Sequence, residues 1–274
     1  MRKTIFASIA VGTVLAAGLG APAMAVDEGK AELSVWHGIS DLTVDVYVNG
    51  DLTLDDFKPG DMGGPLTLDP GTNSVAITAA DAADDSDPVL GPIDLPLEAD
   101  MSYTAVAHLD ADGSPTATLF TNDISETASG EGRLTVRHTA AAPGVDVWAD
   151  GSVLFENLTN PNEMMGDVPA ATYEAAVSLT GETDPVLGPT DVAIESGVNT
   201  IVYAWGSAAD SNLALAVQTV STATSDAVPA GVPAGTQGFA DAGSDTGLAL
   251  AVGLLAVLGM AGFGVTAAVA RRNR

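Results

Sequence analysis

One repeat constrains this chain more than any other feature: the string Asp87-Pro88-Val89-Leu90-Gly91-Pro92 returns unchanged as Asp184-Pro185-Val186-Leu187-Gly188-Pro189. Upstream of it, Leu33, Val35 and His37 correspond to Leu134, Val136 and His138. Val44-Asp45-Val46-Tyr47 corresponds to Val145-Asp146-Val147-Trp148, and Gly50 to Gly151. The offset is 101 at the first matches (134 − 33) and 97 at the last (184 − 87). The larger slip falls between Thr78 and Ser86, rich in Ala and Asp, which reads as a surface loop because loops absorb insertions and paired strands do not. The chain is therefore expected to hold two copies of one module, residues 31–122 and 131–220, joined by the short polar link Asp123 to Gly132.

Within each copy the periodicity is two. Val44, Val46 and Val48 alternate with Asp45, Tyr47 and Asn49, and Asn49-Gly50 supplies a hairpin turn, as Asp150-Gly151 does in the second copy. Further strands are expected at Leu33 to His37, Leu52 to Phe57, Ser74 to Thr78, Ile93 to Leu97, Tyr103 to Leu109 and Thr116 to Phe120. Lys58-Pro59-Gly60, Asp69-Pro70-Gly71 and Asp112-Gly113 separate them with turn chemistry. About seven short strands per copy with no amphipathic helix predict an all-β protein of two tandem antiparallel, immunoglobulin-like β-sandwiches.

The two ends carry a different pattern. Residues 1–25 combine basic Arg2-Lys3, an apolar run from Ile5 to Leu19 and the small-residue site Ala23-Met24-Ala25, so a signal peptide cleaved between Ala25 and Val26 is expected. Residues 248–270 are uncharged and apolar, long enough at about 1.5 Å per residue to cross a bilayer core of about 30 Å as a helix. Basic residues within 271–274 would stay cytoplasmic, placing the modules outside a single-pass membrane protein. The Ala, Pro, Gly and Ser stretch 221–246 reads as a flexible stalk.

Charge narrows the partners. Of 9 basic residues only Lys30, Lys58, Arg133 and Arg137 lie between the two ends, against 36 acidic residues. Such a surface repels phosphate backbones, which excludes nucleic acid as a partner. No cysteine is present, which removes disulfides, thiolate metal sites and cysteine nucleophiles together.

Candidate chemistry is sparse. His37 and His138 recur at the end of the first strand of each copy, a pattern that invites a metal reading with Asp45 and Asp146 as partners. Asp45, however, lies on the face opposite Val44 and Val46, so a structural histidine bonded to backbone is the expected role. His108 has Trp205 at the corresponding place and carries no shared site. Tyr47 and Trp148 occupy equivalent outward positions where an aromatic ring can meet a ligand such as a sugar. The acidic stretches Asp81 to Asp87 and Asp110 to Ser114 invite comparison with calcium loops. Asp110 and Asp112 begin like one, but Thr121 stands where the last carboxylate should be, so at most weak calcium binding is expected and no cofactor. No catalytic motif is present, although a carboxylate pair of the glycosidase kind can hide among so many acids.

The segment Leu134 to Gly151, with His138, Pro143, Val145-Asp146-Val147-Trp148 and Asp150-Gly151, resembles the domain of unknown function 4397 family. The first copy resembles it through His37, Val44-Asp45-Val46-Tyr47-Val48 and Asn49-Gly50, without the proline of the loop. The resemblance implies exported bacterial β-rich modules and carries no activity or ligand. Phe239-Ala240-Asp241-Ala242-Gly243 resembles a degenerate sortase signal, with Ala242 where the attacked Thr would stand, so a wall-attached form would require an altered motif. The expected function is a non-catalytic cell-surface module acting in binding, adhesion or spacing toward an unidentified envelope ligand; an envelope glycan hydrolase is the alternative.

Overall fold

The computed structural model describes residues 26–222. The first half contains β1 (Ala31–His37), β2 (Val44–Val48), β3 (Asp51–Phe57), β4 (Met62–Leu68), β5 (Gly71–Ala79), β6 (Leu90–Leu97), β7 (Met101–Leu109) and β8 (Pro115–Asn122). The second contains β9 (Glu131–His138), β10 (Val145–Ala149), β11 (Ser152–Leu158), β12 (Glu163–Pro169), β13 (Ala171–Leu179), β14 (Pro185–Ile194), β15 (Val198–Trp205) and β16 (Ala214–Ser221). The sheets run β4-β1-β7-β8 and β3-β2-β5-β6 in the first half, β12-β9-β15-β16 and β11-β10-β13-β14 in the second. Each half is a sandwich, and the strand order of one reproduces the other. The expected signal peptide, the membrane helix, the sortase-like motif and nearly all of the stalk lie outside the described residues. Among the described residues no helix is long and apolar enough to cross a membrane.

Two expectations need correction. The sheets are not purely antiparallel: β1 runs parallel to β7, and β9 parallel to β15. The chain leaves β1 for the opposite sheet and returns beside it only at β7, so the first strand is central where an immunoglobulin domain pairs its first strand with its second. The expected strands also omit β4, which lies between the turns Lys58-Pro59-Gly60 and Asp69-Pro70-Gly71 and carries Gly63-Gly64-Pro65. In the structure Gly64 adopts φ 96° beside a register shift between Leu33 and Val35, and an added Cβ there would lie 2.8 Å from the Leu33 carbonyl oxygen.

Alternation explains the sandwich interiors. Leu33, Val35, Val44, Val46, Val48, Tyr103 and Ala105 fill the first core with Phe57, Ile77 and Leu95; Leu134, Val136, Val145, Val147, Val177 and Val202 fill the second with Leu158 and Ile194. The turns Asn49-Gly50 (φ 55° and 85°) and Asp150-Gly151 (φ 48° and 74°) have both central residues left-handed, the twist that closes a two-residue hairpin.

A third cluster lies between the halves. Strands β1, β7 and β15 are buried over nearly their whole length, so their outer faces are covered as well. Trp36, Val106 and Phe120 of the first half pack with Ile201 and Tyr203 of the second, Trp36 stacking on Tyr203 with ring centroids 5.6 Å apart. Trp205 meets Trp36 edge to face at 5.9 Å. Arg137 is fully buried here: its Nη2 donates to Asn122 Oδ1 (3.0 Å), its Nη1 to the Tyr203 hydroxyl (2.8 Å), its Nε to Glu163 (2.7 Å), and its guanidinium lies 4.5 Å over the Phe120 ring. Arg133, also buried, pairs with Asp167 and Asp123 and donates to the Ser125 carbonyl, which fastens the link between the halves. The described residues thus belong to one compact unit.

Candidate functional site

The repeated histidines end β1 and β9, and inward alternation carries each ring into its sandwich. His37 is 2% exposed and stacks on Phe57; His138 is fully buried. Nε2–H of His37 donates to the Leu42 carbonyl (2.7 Å), and that of His138 to the Pro143 carbonyl (2.9 Å). Nδ1 then accepts from the next loop, from Ile39 N–H or Ala140 N–H, each at 3.4 Å. Burial pushes both rings below the ordinary histidine range, against the smaller opposing effect of the carbonyl bonds. Both nitrogens of each ring are therefore engaged by backbone, an arrangement that closes a loop and offers no free lone pair.

Asp45 and Asp146 do something the sequence reading missed. Asp45 Oδ1 accepts the N–H of Asp56 (2.9 Å), and Asp146 Oδ1 that of Asn157 (2.8 Å). Asp56 and Asn157 have φ 50° and 54° and sit where β3 and β11 shift register against β2 and β10. Each aspartate thus clamps a bulge in the neighbouring strand. Asp146 also accepts Gly181 N–H through Oδ2 (2.8 Å), and these backbone bonds hold its carboxyl below the usual carboxylate range. In the first half one oxygen from each of Asp45, Asp55 and Asp56 falls within 4.8 Å of the others, with Asp45 buried and the other two exposed. The signal in the sequence was an Asp with a fixed distance to an Asp or Asn eleven residues on in both copies.

The other candidates are dispersed. Tyr47, expected to face a ligand, is only 8% exposed; burial first and then the charges of Asp45, Asp85, Asp84 and Asp55 raise its phenol pKa. Trp148 is half-buried, its indole N–H donating to Ser178 Oγ (2.9 Å). Asp110 Oδ1 accepts from Asp112 N–H (2.9 Å) and Ser114 N–H (2.8 Å), so this carboxylate shapes the β7–β8 turn, and the exposed Asp112 belongs to that turn. The identical Pro-Val-Leu-Gly-Pro strings also have a backbone cause. Gly91 and Gly188, at φ 100° and 84°, lie beside register shifts of β6 and β14, and an added Cβ would lie 2.8 Å from the Val75 carbonyl oxygen or 2.6 Å from that of Ala175.

Two cavities lie among the described residues near these elements. One of about 20 Å³ lies within the second sandwich, lined by Ala149, Tyr173, Ala175, Val192 and Leu215 among others. The other, about 280 Å³ and open, lies against β3 and β4, where Asp51 is its one carboxylate. Neither faces two carboxylates toward a shared space.

Residues 31–147 match the family model of a domain of unknown function (DUF4397), a span covering the first half and ending within β10 of the second. No curated protein matches the chain.

Proposed function

We propose that this chain is a non-catalytic module displayed on the cell surface, tethered by residues 248–270, that presents its two sandwiches as one stiff acidic body for binding, adhesion or spacing. The observation that carries the reading is where the cations go. Both arginines of the region are buried in the junction, Arg137 against Glu163 and Arg133 against Asp167 and Asp123. Lys30 is paired with Asp69 at the surface. Three of the four basic residues between the ends are thus paired, only the exposed Lys58 standing outside an ion pair among the described residues, and the exterior is left mainly to the carboxylates, which keep such a surface solvated and repel like neighbours. A stiff body with a repelling surface suits a part that projects a binding face or holds a distance.

Protease added to intact cells should remove residues 26–222, and detergent should release the full-length mature protein. Survival of both sandwiches until lysis would refute display. Release of reducing ends from envelope glycans by the purified chain would refute the non-catalytic reading in favour of the hydrolase.

A further inference from the structure

The sequence holds three histidines, and all three are buried. His108 differs from the repeated pair: it sits on the outer face of β7, at the junction. Its Nδ1–H donates to the Leu109 carbonyl (2.8 Å), and its Nε2 is paired with Thr118 Oγ1 (2.9 Å). The Leu109 carbonyl also accepts from Nδ2 of Asn160, a residue of the second half (2.8 Å). That same Nδ2 donates to the Ala140 carbonyl (2.6 Å), and Ala140 N–H donates to Nδ1 of His138 (3.4 Å). One amide therefore clasps the strand end that carries His108 to the strand end that carries His138.

We propose that this clasp makes the junction acid-releasable: protonation of His108 and His138 parts the two halves while each sandwich stays folded. Proton uptake at His138 Nδ1 puts a donor where the Ala140 N–H already points, so that bond must break and the Ala140 loop must move. At His108 the Thr118 hydroxyl can turn to accept, so the opposing factors are burial and the second charge. Asp110 on the adjoining turn and His138 across the junction are the titratable groups whose charges reach His108, and Oδ1 of Asp110 is committed to two turn N–H groups. The guanidinium of Arg137 on β9 is taken by Glu163, Tyr203 and Asn122. Asn160 Oδ1, buried without a partner, gives the clasp nothing further to hold by. Burial lowers the pKa of both rings from 6.5, and His138 lowers that of His108 further, so both are neutral at neutral pH and charge only below about 6.5.

The absence of cysteine permits a clean distance measurement on the full chain in detergent, with spin labels introduced through Leu52→Cys and Val153→Cys, one exposed site in each half. Between about pH 6.5 and pH 4 the interlabel distance should lengthen and broaden while the far-ultraviolet strand signal is retained. Asn160→Ala should move that transition to higher pH, and His108→Gln to lower pH. Coincident loss of strand signal and distance, no lengthening above about pH 4, or an unmoved midpoint in both Asn160→Ala and His108→Gln would overturn the proposal.

Discussion

Truncating Arg137 is the most direct test of whether the junction is an energetic core or a crossing of two independent modules. Arg137→Ala leaves the Glu163 carboxylate without its cation and Asn122 Oδ1 without its charged donor, and it leaves a hole against Phe120. The Tyr203 hydroxyl keeps its bond to Gln218 (2.6 Å), so that group is not orphaned. Removing one partner of a buried pair costs about 3–5 kcal/mol; the Glu163 side chain is 23% exposed and can recover water, which puts the expected loss near the lower bound, about 3 kcal/mol. Arg137→Met restores most of the volume, so it should cost less, about 1–2 kcal/mol, and adding Glu163→Gln to it should cost almost nothing more. Urea unfolding of the full chain measures all three. The parent should unfold in one transition, and Arg137→Ala should separate the halves into two. A loss below about 1 kcal/mol with one unchanged transition would refute the reasoning, and equal losses for Met and Ala would refute the part assigned to volume.

His37→Ala and His138→Ala should each destabilise by about 1–3 kcal/mol, from lost packing and an orphaned loop carbonyl, and the effects should add because the rings lie in separate cores; a chelator-induced drop in the parent's Tm that the variants lack would show a metal instead. With three histidines held below their unfolded pKa, the native state binds fewer protons, so stability should fall with decreasing pH below about 6.5, by up to about 1.4 kcal/mol per pH unit for each ring until its folded pKa is reached; a flat profile between pH 7 and 5 would contradict this. Ala175→Val copies the Val75 of the first half into the small cavity of the second and should raise stability by about 1 kcal/mol by urea unfolding; a loss would mean the site is already full. Asp146→Asn should lower Tm more than Asp45→Asn, because Asp146 holds two backbone N–H groups and Asp45 holds one; its contribution is present above the unfolded carboxylate pKa of about 3.8 and fades as pH falls through its lower folded value, so the gap between the variants should close in acid.

Local rules carried the sequence reading where local physics decides. Val44 to Val48, alternating at period two and ending on Asn49-Gly50, was legible residue for residue, and the slip between the copies lies in the β5–β6 connection, which is longer than its β13–β14 counterpart. Where a strand depends on a bulge the rules pointed the wrong way. Gly63-Gly64-Pro65 belongs to β4, and only the approach of Leu33 and Ser34 to Gly64 makes it so. Asp45 was legible only as a possible metal partner of His37, because nothing in its own strand announces that the neighbouring strand carries a left-handed residue beneath it.

The junction was missed for a different reason, since it uses positions at which the copies disagree. Trp36 faces it in the first half where Arg137 does in the second; Val106 stands for Tyr203, and His108 for Trp205. A search for shared residues discards each of these pairs, as happened with His108. The available signal was hydrophobicity on both faces of one strand. Tyr103 to Leu109 and Thr200 to Trp205 are nearly continuous apolar runs, whereas a strand with one wet face alternates. The shared residues Leu33, Val35, His37, Val44 and Val46 build each sandwich, and so they are what two copies must keep. The divergent ones build the contact between sandwiches, where Trp36 on one side stacks on Tyr203 and meets the edge of Trp205 on the other. Repetition therefore reports the fold of a half, and departure from repetition reports how the halves meet.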